Sequence, residues 1–513
     1  MEQNYHRLTR LYAAGFEGVE GYPVLVEASR REPVYGVGKT TVVGLPDAAV
    51  RESIERVVPA VLSCGLVHGG EDTVVVNLAP ADRRKEGPAF DLAIALALAA
   101  TADNDLSVDA DTAFLAELAL DGSLRPVRGV LACALALRDA GVQRLVVAPD
   151  NAQEAAVVEG LKVHAPASLG EVVSAIRRSW QGLAPVAPSL DDDHLVDLGP
   201  DLADVRGQDH AKRALAIAAA GAHNLLMIGP PGSGKTMLAR RLPGLLPPMT
   251  IDERLDVTRV HSVAGLLPGG QGLMACRPFR APHHNVSTVG LIGGGSMPRP
   301  GEVSLAHHGV LFLDELPEYA RPVLESLRQP LEDGHLTISR SAARLTFPSR
   351  CMLVAAMNPC PCGYLGHPSR SCSDNQDAIH RYRARISGPL LDRIDLHLEV
   401  PAQKPEVLDR QEAGPDSHTV RDQVMGARQR MLERQGQANA RLEGRALRRH
   451  VRLDDEAKTL LHQAVDELGL SARAHDRILK VARTIADLDG LDQPGLDQVS
   501  EAIGYRLLDR QTW

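Results

Sequence analysis

Aromatic residues are scarce: six Phe, eight Tyr and two Trp make 3% of the 513-residue chain. Extensive base-stacking platforms are therefore excluded. Long apolar runs are absent as well. The longest, Leu92 to Ala100, is far shorter than the roughly 20 residues a membrane-spanning helix needs. The N-terminus is polar and charged, without the pattern of a secretory leader. Cysteines number seven, and an odd set in a long chain fits a reducing cytosol better than a disulfide framework. The expected location is cytoplasmic. Basic charge is not in excess either: the net charge of −9 argues against a basic coat and leaves room only for a local groove or pore. What is present is ordinary: 44% hydrophobic and 24% charged residues, in a chain long enough for about two to four domains.

The most informative stretch runs from Asn224 to Thr236. An apolar pentad, Asn-Leu-Leu-Met-Ile, feeds into Gly229-Pro230-Pro231-Gly232-Ser233-Gly234-Lys235-Thr236. A loop wrapped around a polyphosphate visits backbone conformations closed to most residues and turns its N–H groups inward, which accounts for the glycines. Lys235 is expected to reach the β- and γ-phosphates, and Thr236 to offer its hydroxyl to Mg²⁺. The helix-forming residues that follow aim the positive end of a helix dipole at the same phosphates. A second candidate, Gly36-Val-Gly-Lys-Thr40, has Pro33 where the pattern needs its first glycine, and reads as a turn.

Downstream, Gly309-Val-Leu-Phe-Leu-Asp-Glu315 is an apolar run ending in two carboxylates. A buried parallel strand delivers acid groups to its C-terminal edge in this way. Asp314 is expected to hold the Mg²⁺ shell and Glu315 to polarise the attacking water. A third apolar strand, Cys351 to Met357, ends in Asn358, suited to the γ-phosphate or that water. Cys360, Cys362 and Cys372, with Asp374 or His367, are able to close a tetrahedral zinc site; free thiols left after a site was lost are the other reading. Leu336 to Phe347 alternates, with Asp333-Gly334 before it, and predicts a hairpin. Arg340 and Arg344, four apart, are expected on one strand face, as DNA contacts or as solvated surface. Between Arg421 and Arg452 arginines outnumber acids, marking a DNA-facing or subunit-facing surface.

These features together resemble the AAA+ ATPases, and within them the magnesium-chelatase-like branch, the YifB/ComM family. The matching words include Val205-Arg-Gly-Gln208, Phe279-Arg-Ala-Pro-His-His284, Pro300-Gly-Glu-Val-Ser-Leu-Ala-His-His308, Leu390-Leu-Asp-Arg-Ile-Asp395 and Arg477-Ile-Leu-Lys-Val-Ala-Arg-Thr-Ile-Ala486. The resemblance implies that Asn358 is the sensor 1 residue. It further implies that Arg393 is an arginine finger for a neighbouring subunit's nucleotide and that Arg473 is the sensor 2 arginine, whose alternative is a capping or solvated residue. Ser287 to Ser296 resembles the helix 2 insertion, 336–347 resembles the pre-sensor 1 hairpin, and the cysteine cluster resembles one the family shares, generally with a fourth cysteine where this chain has Asp374.

Before the linker, Lys85-Glu-Gly-Pro-Ala-Phe-Asp91 and the segment 117–131 resemble the Lon-type protease domain. Ala89 and Leu131 stand where that family has its serine and lysine, so the Ser/Lys dyad is missing and no peptidase activity is expected. The expected α/β architecture is a Lon-protease-like (ribosomal protein S5 domain 2-like) domain over 1–180, a linker over 181–200, an AAA+ P-loop core over 201–401 and a helical lid over 402–513.

The implied function is an ATP- and Mg²⁺-dependent homo-oligomeric ring, expected to be a hexamer. It would act on single-stranded or branched DNA as a branch-migration helicase in natural transformation and homologous recombination. Two rivals are a chelatase-type motor that remodels a protein partner for metal insertion and an ATP-dependent protease. Ala89 and Leu131 argue against the second.

Overall fold

The Leu92 to Ala100 run becomes helix Asp91–Ala102, in which every residue from Asp91 to Thr101 is buried. A helix that is apolar all round has no face to give to water. It therefore lies inside its unit, packed on strands Arg7–Glu17 and Glu20–Arg31. Burial of each of Leu92, Ile94, Leu96 and Leu98 contributes about 1.5–3 kcal/mol. The computed structural model describes residues 7–31, 38–66, 72–189, 199–295, 298–339, 344–403 and 414–506. Among them no helix is long and apolar enough to cross a membrane.

The chain forms two compact units, Met1–His194 with Arg254–Ala275, and Leu195–Glu253 with Cys276–Trp513. The contiguous division expected from the sequence does not anticipate the inclusion of 254–275 in the first unit. That segment is held there by Arg259 on Glu20 at 3.1 Å, by Gly129 N–H on the Ser262 carbonyl at 3.2 Å, and by the Ser262 hydroxyl on Glu154. Residues 181–189 of the expected linker also belong to this unit, since Val186 N–H donates to Val163 and Ser189 N–H to Gln153.

The first unit carries a seven-stranded mixed sheet in the order Thr40–Val43, Thr73–Ala79, Glu20–Arg31, Arg7–Glu17, Thr112–Leu115, Arg144–Val147, Lys162–His164. Thr40 opens a strand and not a helix, so the second glycine-lysine-threonine word has no helix N-terminus for phosphates. Ala89 borders a cavity of about 40 Å³ shared with Tyr22, Arg128 and Cys133. Leu131 is fully buried, its N–H donated to Glu154 at 2.9 Å. Neither position offers a nucleophile or a base.

The second unit is built on a five-stranded sheet in the order Phe279–Arg280, Val310–Leu313, Met352–Met357, Leu225–Ile228, Leu396–Glu399. All four pairings are parallel. The strand earliest in sequence thus lies between the two latest, which creates the topological switch point where α/β sheets bind ligands. Helices Ser417–Gln435, Gly444–His450, Asp455–Leu468, Ala472–Asp489 and Leu496–Gly504 follow. The fold is α/β with C-terminal helices, as expected.

Two local expectations are corrected. Strands His335–Ser339 and Arg344–Pro348 do pair as a hairpin, but Asp333 ends helix Arg328–Asp333 and Gly334 caps it at φ 67°. Arg344 faces Ser339 across the ladder and so begins the returning strand. Arg340 lies outside the described residues. Of the arginine-rich stretch, Arg428 and Arg434 turn inward, while Arg430 stays exposed. Arg428 donates to the carbonyls of Ala219 and Ala220 at the end of helix Asp209–Gly221, Arg430 to the Asp487 carbonyl, and Arg434 to the Asp487 carboxylate.

Asp487 is fully buried and accepts from Arg434, Arg483 and Asn439 at 2.6–2.8 Å. Asp487→Ala strands the Arg483 guanidinium, which is only 2% exposed. The expected loss is about 3–5 kcal/mol, read as a lower urea midpoint; a variant as stable as the parent would contradict this.

Candidate nucleotide-binding site

The candidate site grows from strand Leu225–Ile228, buried along its length. The Gly229 N–H donates to the Met357 carbonyl at 3.2 Å, tying the loop's first residue to the neighbouring strand. A Cβ at Gly229 would lie 2.1 Å from the Val400 carbonyl oxygen, so the last strand of the sheet closes that position to any side chain. Gly232 and Gly234 adopt φ of 76° and 92°, and Gly234 is the N-cap of helix Lys235–Leu245. Together these place a tight glycine loop at the N-terminus of a helix, the arrangement that takes a phosphate.

Lys235 is 9% exposed and donates to the Gly229 carbonyl at 2.7 Å, the Pro230 carbonyl at 2.9 Å and Asn358 Oδ1 at 3.3 Å. Burial holds its pKa below the usual lysine range, against the opposing pull of Asp314 and Glu315. The cation, the loop and Asn358 thus converge at the carboxyl edge of the sheet. Thr236 Oγ1 donates to Asp314 Oδ2 at 2.7 Å. This brings together the hydroxyl and carboxylate that would hold Mg²⁺, an oxygen-donor pair of the kind the ion takes alongside phosphates.

Glu315 is exposed at φ 52°, a left-handed conformation that a residue with a side chain holds only at a cost. Its N–H donates to Asp314 Oδ1 at 3.0 Å, and its Oε2 lies 3.4 Å from His284 Nδ1. The His284 ring packs edge-on against Tyr319, whose hydroxyl donates to the Pro282 carbonyl at 2.6 Å. Burial, with Asp314 and Glu315 nearby, raises the Tyr319 pKa and keeps it a donor.

The sequence reading assigned no role to His284, nor to Gln208, although both stand in the quoted family words. Gln208 Nε2 donates to the Ser233 carbonyl at 3.3 Å and the Pro401 carbonyl at 3.0 Å, clasping the phosphate loop to the end of the core.

Arg393 and Arg473 lie at the other edge. Asn224, which starts the phosphate-loop strand, donates from Nδ2 to the Arg393 carbonyl at 2.8 Å. Four residues of strand at about 3.3 Å each therefore separate Arg393 from Gly229, roughly 13 Å or more. The Arg393 side chain donates to the Arg328 carbonyl at 3.0 Å and pairs with Glu332. Arg473 Nη1 sits 3.8 Å from Asp392 Oδ2. Both arginines line a cleft of about 820 Å³ that also takes in Arg350, Arg441, Arg477 and Lys480. Beneath it Asp395 is fully buried, bonded to Arg477 at 2.5 Å and His223 at 3.1 Å. Burial would raise its pKa, but Arg477 and His223 hold it below the carboxylate range.

The cysteine cluster begins two residues after Asn358. The Sγ atoms of Cys360, Cys362 and Cys372 lie 3.4, 3.5 and 3.6 Å apart, and Asp374 Oδ2 is 3.8 Å from Cys372 Sγ. One ligand atom from each of these four falls within 4.8 Å of the others, and His367 is not in the set. Of the two fourth ligands left open by the sequence, the fold assembles Asp374. Arg344 is exposed at the start of its strand, and Ser287 caps the short helix Thr288–Ile292 in the predicted insertion.

Family models described as magnesium chelatase, subunit ChlI, match residues 201–408 and, for the C-terminal part, 414–506. Another, subunit ChlI of Mg-chelatase, matches 29–151. The chain is 43% identical over 511 residues to competence protein ComM of Haemophilus influenzae, covering 98% of each. It is 41% identical over 496 residues to YifB of Escherichia coli, covering 96% of each. To a magnesium-chelatase subunit ChlI homolog of Methanocaldococcus jannaschii it is 23% identical over 328 residues, 59% of this chain and 83% of that one.

The two loop glycines should differ in what they tolerate. Gly229→Ala meets backbone at 2.1 Å, whereas nothing lies within 4 Å of a Cβ at Gly232, leaving only a conformational cost of about 1–2 kcal/mol. Binding of a fluorescent ATP analogue is expected to be lost in Gly229→Ala and weakened in Gly232→Ala; the reverse order would contradict this geometry.

Proposed function

The chain belongs to the YifB/ComM branch of the magnesium-chelatase-like AAA+ ATPases, and from that premise we propose that it is an ATP-driven ring motor acting on DNA in the cytoplasm. The observation that carries this reading is the division of the ATP machinery between two edges of one sheet. The phosphate loop, Thr236, Asp314, Glu315 and Asn358 share the carboxyl edge, while Arg393 and Arg473 stand at the amino edge. A chain cannot complete its own site with those arginines, and a second copy in a closed ring can.

In this reading Lys235 and the loop N–H groups bind the triphosphate, and Thr236 and Asp314 hold Mg²⁺, which neutralises phosphate charge when bound. Glu315 orients the attacking water and accepts its proton, steadied by His284. Asn358 fixes Lys235 and contacts the γ-phosphate. Arg393, as the finger, and Arg473, as the sensor 2 residue, approach the phosphates bound by a neighbouring protomer, stabilising the charge that develops during transfer. Cys360, Cys362, Cys372 and Asp374 take Zn²⁺.

The first unit is a Lon-protease-like domain without its dyad. The DNA substrate, single-stranded or branched, rests on the resemblance to the competence protein ComM and implies branch migration by a hexamer during transformation and recombination. Arg340 and Arg344 are the candidate DNA contacts, and the 287–296 insertion is the candidate pore-facing element. The chelatase-type reading is favoured by the descriptions of the matching family models and predicts a motor indifferent to DNA.

Lys235→Ala is expected to lose ATP binding. Glu315→Gln is expected to bind ATP while its kcat falls at least roughly a hundredfold. Forked or single-stranded DNA should raise the ATPase rate of the unaltered protein; a rate unchanged by either DNA would favour the chelatase-type motor.

A further inference from the structure

We propose that the ion held by Cys360, Cys362, Cys372 and Asp374 braces the end of the Asn358 strand against the phosphate loop, so that metal occupancy sets how well this chain holds nucleotide. This rests on the assignment of the four residues to zinc. Three thiolates at about 2.3 Å from a tetrahedral ion stand about 3.8 Å from one another, and the observed separations of 3.4–3.6 Å need only a slight outward movement. The donors around the set are already in order. Leu365 N–H points to Cys360 Sγ at 3.4 Å and Cys362 N–H to Asp374 Oδ2 at 2.8 Å. Outer contacts of this kind orient metal ligands.

The link to the nucleotide site runs through Gly363, between the second and third cysteines. It is buried at φ 84°, and a Cβ there would lie 2.6 Å from Pro231 Cδ in the phosphate loop and 3.8 Å from Asn358 Cγ. The loop therefore presses its backbone onto Pro231 at a point only glycine can occupy. One flank is anchored by Arg383, which donates to the Pro359 carbonyl at 3.0 and 3.2 Å. From Cys360 to Asp374 the segment has no helix or strand. With the ion the four ligands close the segment into a rigid clip, and Asn358, two residues before it, is held where Lys235 meets it at 3.3 Å.

The test uses the full chain purified without chelator. Elemental analysis is expected to find about one zinc per chain, and Co²⁺ exchanged into the site should give a thiolate-to-cobalt absorption band. Asp374→Cys should intensify that band, and Cys372→Ser should abolish it. Removal of the metal, with helical circular dichroism retained, is expected to weaken binding of a fluorescent ATP analogue roughly tenfold, about 1.4 kcal/mol; added Zn²⁺ should restore it. Zinc present but nucleotide affinity unchanged by its removal would overturn the brace and leave the zinc assignment standing. No zinc or cobalt bound, with all three thiols titrating freely, would overturn both.

Discussion

The polarity of a parallel sheet governs the second unit. Because its five strands run the same way, every carboxyl end emerges at one edge and every amino end at the other. The strand order then gathers the phosphate loop, the Asp314-Glu315 pair and Asn358 into one crevice, although more than a hundred residues of chain separate the first from the last. The same polarity puts Arg393 at the far edge, where Asn224 holds its carbonyl, and Arg473 stands beside it near Asp392. In the proposed reading, nucleotide chemistry and ring assembly are two consequences of one arrangement of strands.

The local cost of the site is concentrated in few residues. Glu315 keeps a left-handed backbone although it carries a side chain, Gly229 is sealed by the Val400 carbonyl, and Gly363 by Pro231. Gly229 and Glu315 each follow a buried strand that fixes the chain before them, Leu225–Ile228 and Val310–Leu313. The buried Asp395–Arg477–His223 and Asp487–Arg434–Arg483 groups serve the C-terminal helices in the same way. They tie these helices to one another and, through Asp395, to the amino edge of the sheet, where the two arginines stand.

Much of this was legible in the chain because adjacency in sequence encodes adjacency in space. A glycine-rich loop between strand and helix, an apolar run ending in Asp314-Glu315, and another ending in Asn358 each carry their own geometry. Helix Asp91–Ala102 was equally readable from its unbroken apolar run. Long-range packing was not readable. Nothing near 254–275 announces that it joins the first unit, and the choice between Asp374 and His367 depends on how a loop without regular structure folds back. The arginine-rich helix looked like a surface because charge is usually exposed, yet Arg428 and Arg434 find buried carbonyls and a buried carboxylate. Gln208 and His284 stood in recognisable words, but their partners, the Ser233 carbonyl and Glu315, are distant in sequence.

The central claim is that one nucleotide site is completed by residues of two chains. Arg393→Ala and Lys235→Ala each disable a different half of it, so each alone should hydrolyse ATP poorly. Mixing the two under conditions where subunits are shown to exchange should restore part of the turnover, because some interfaces then join an intact phosphate loop to an intact Arg393. ATPase activity in the mixture above the sum of the separate variants is the predicted result. Activity no greater than that sum, with exchange confirmed, would contradict the account.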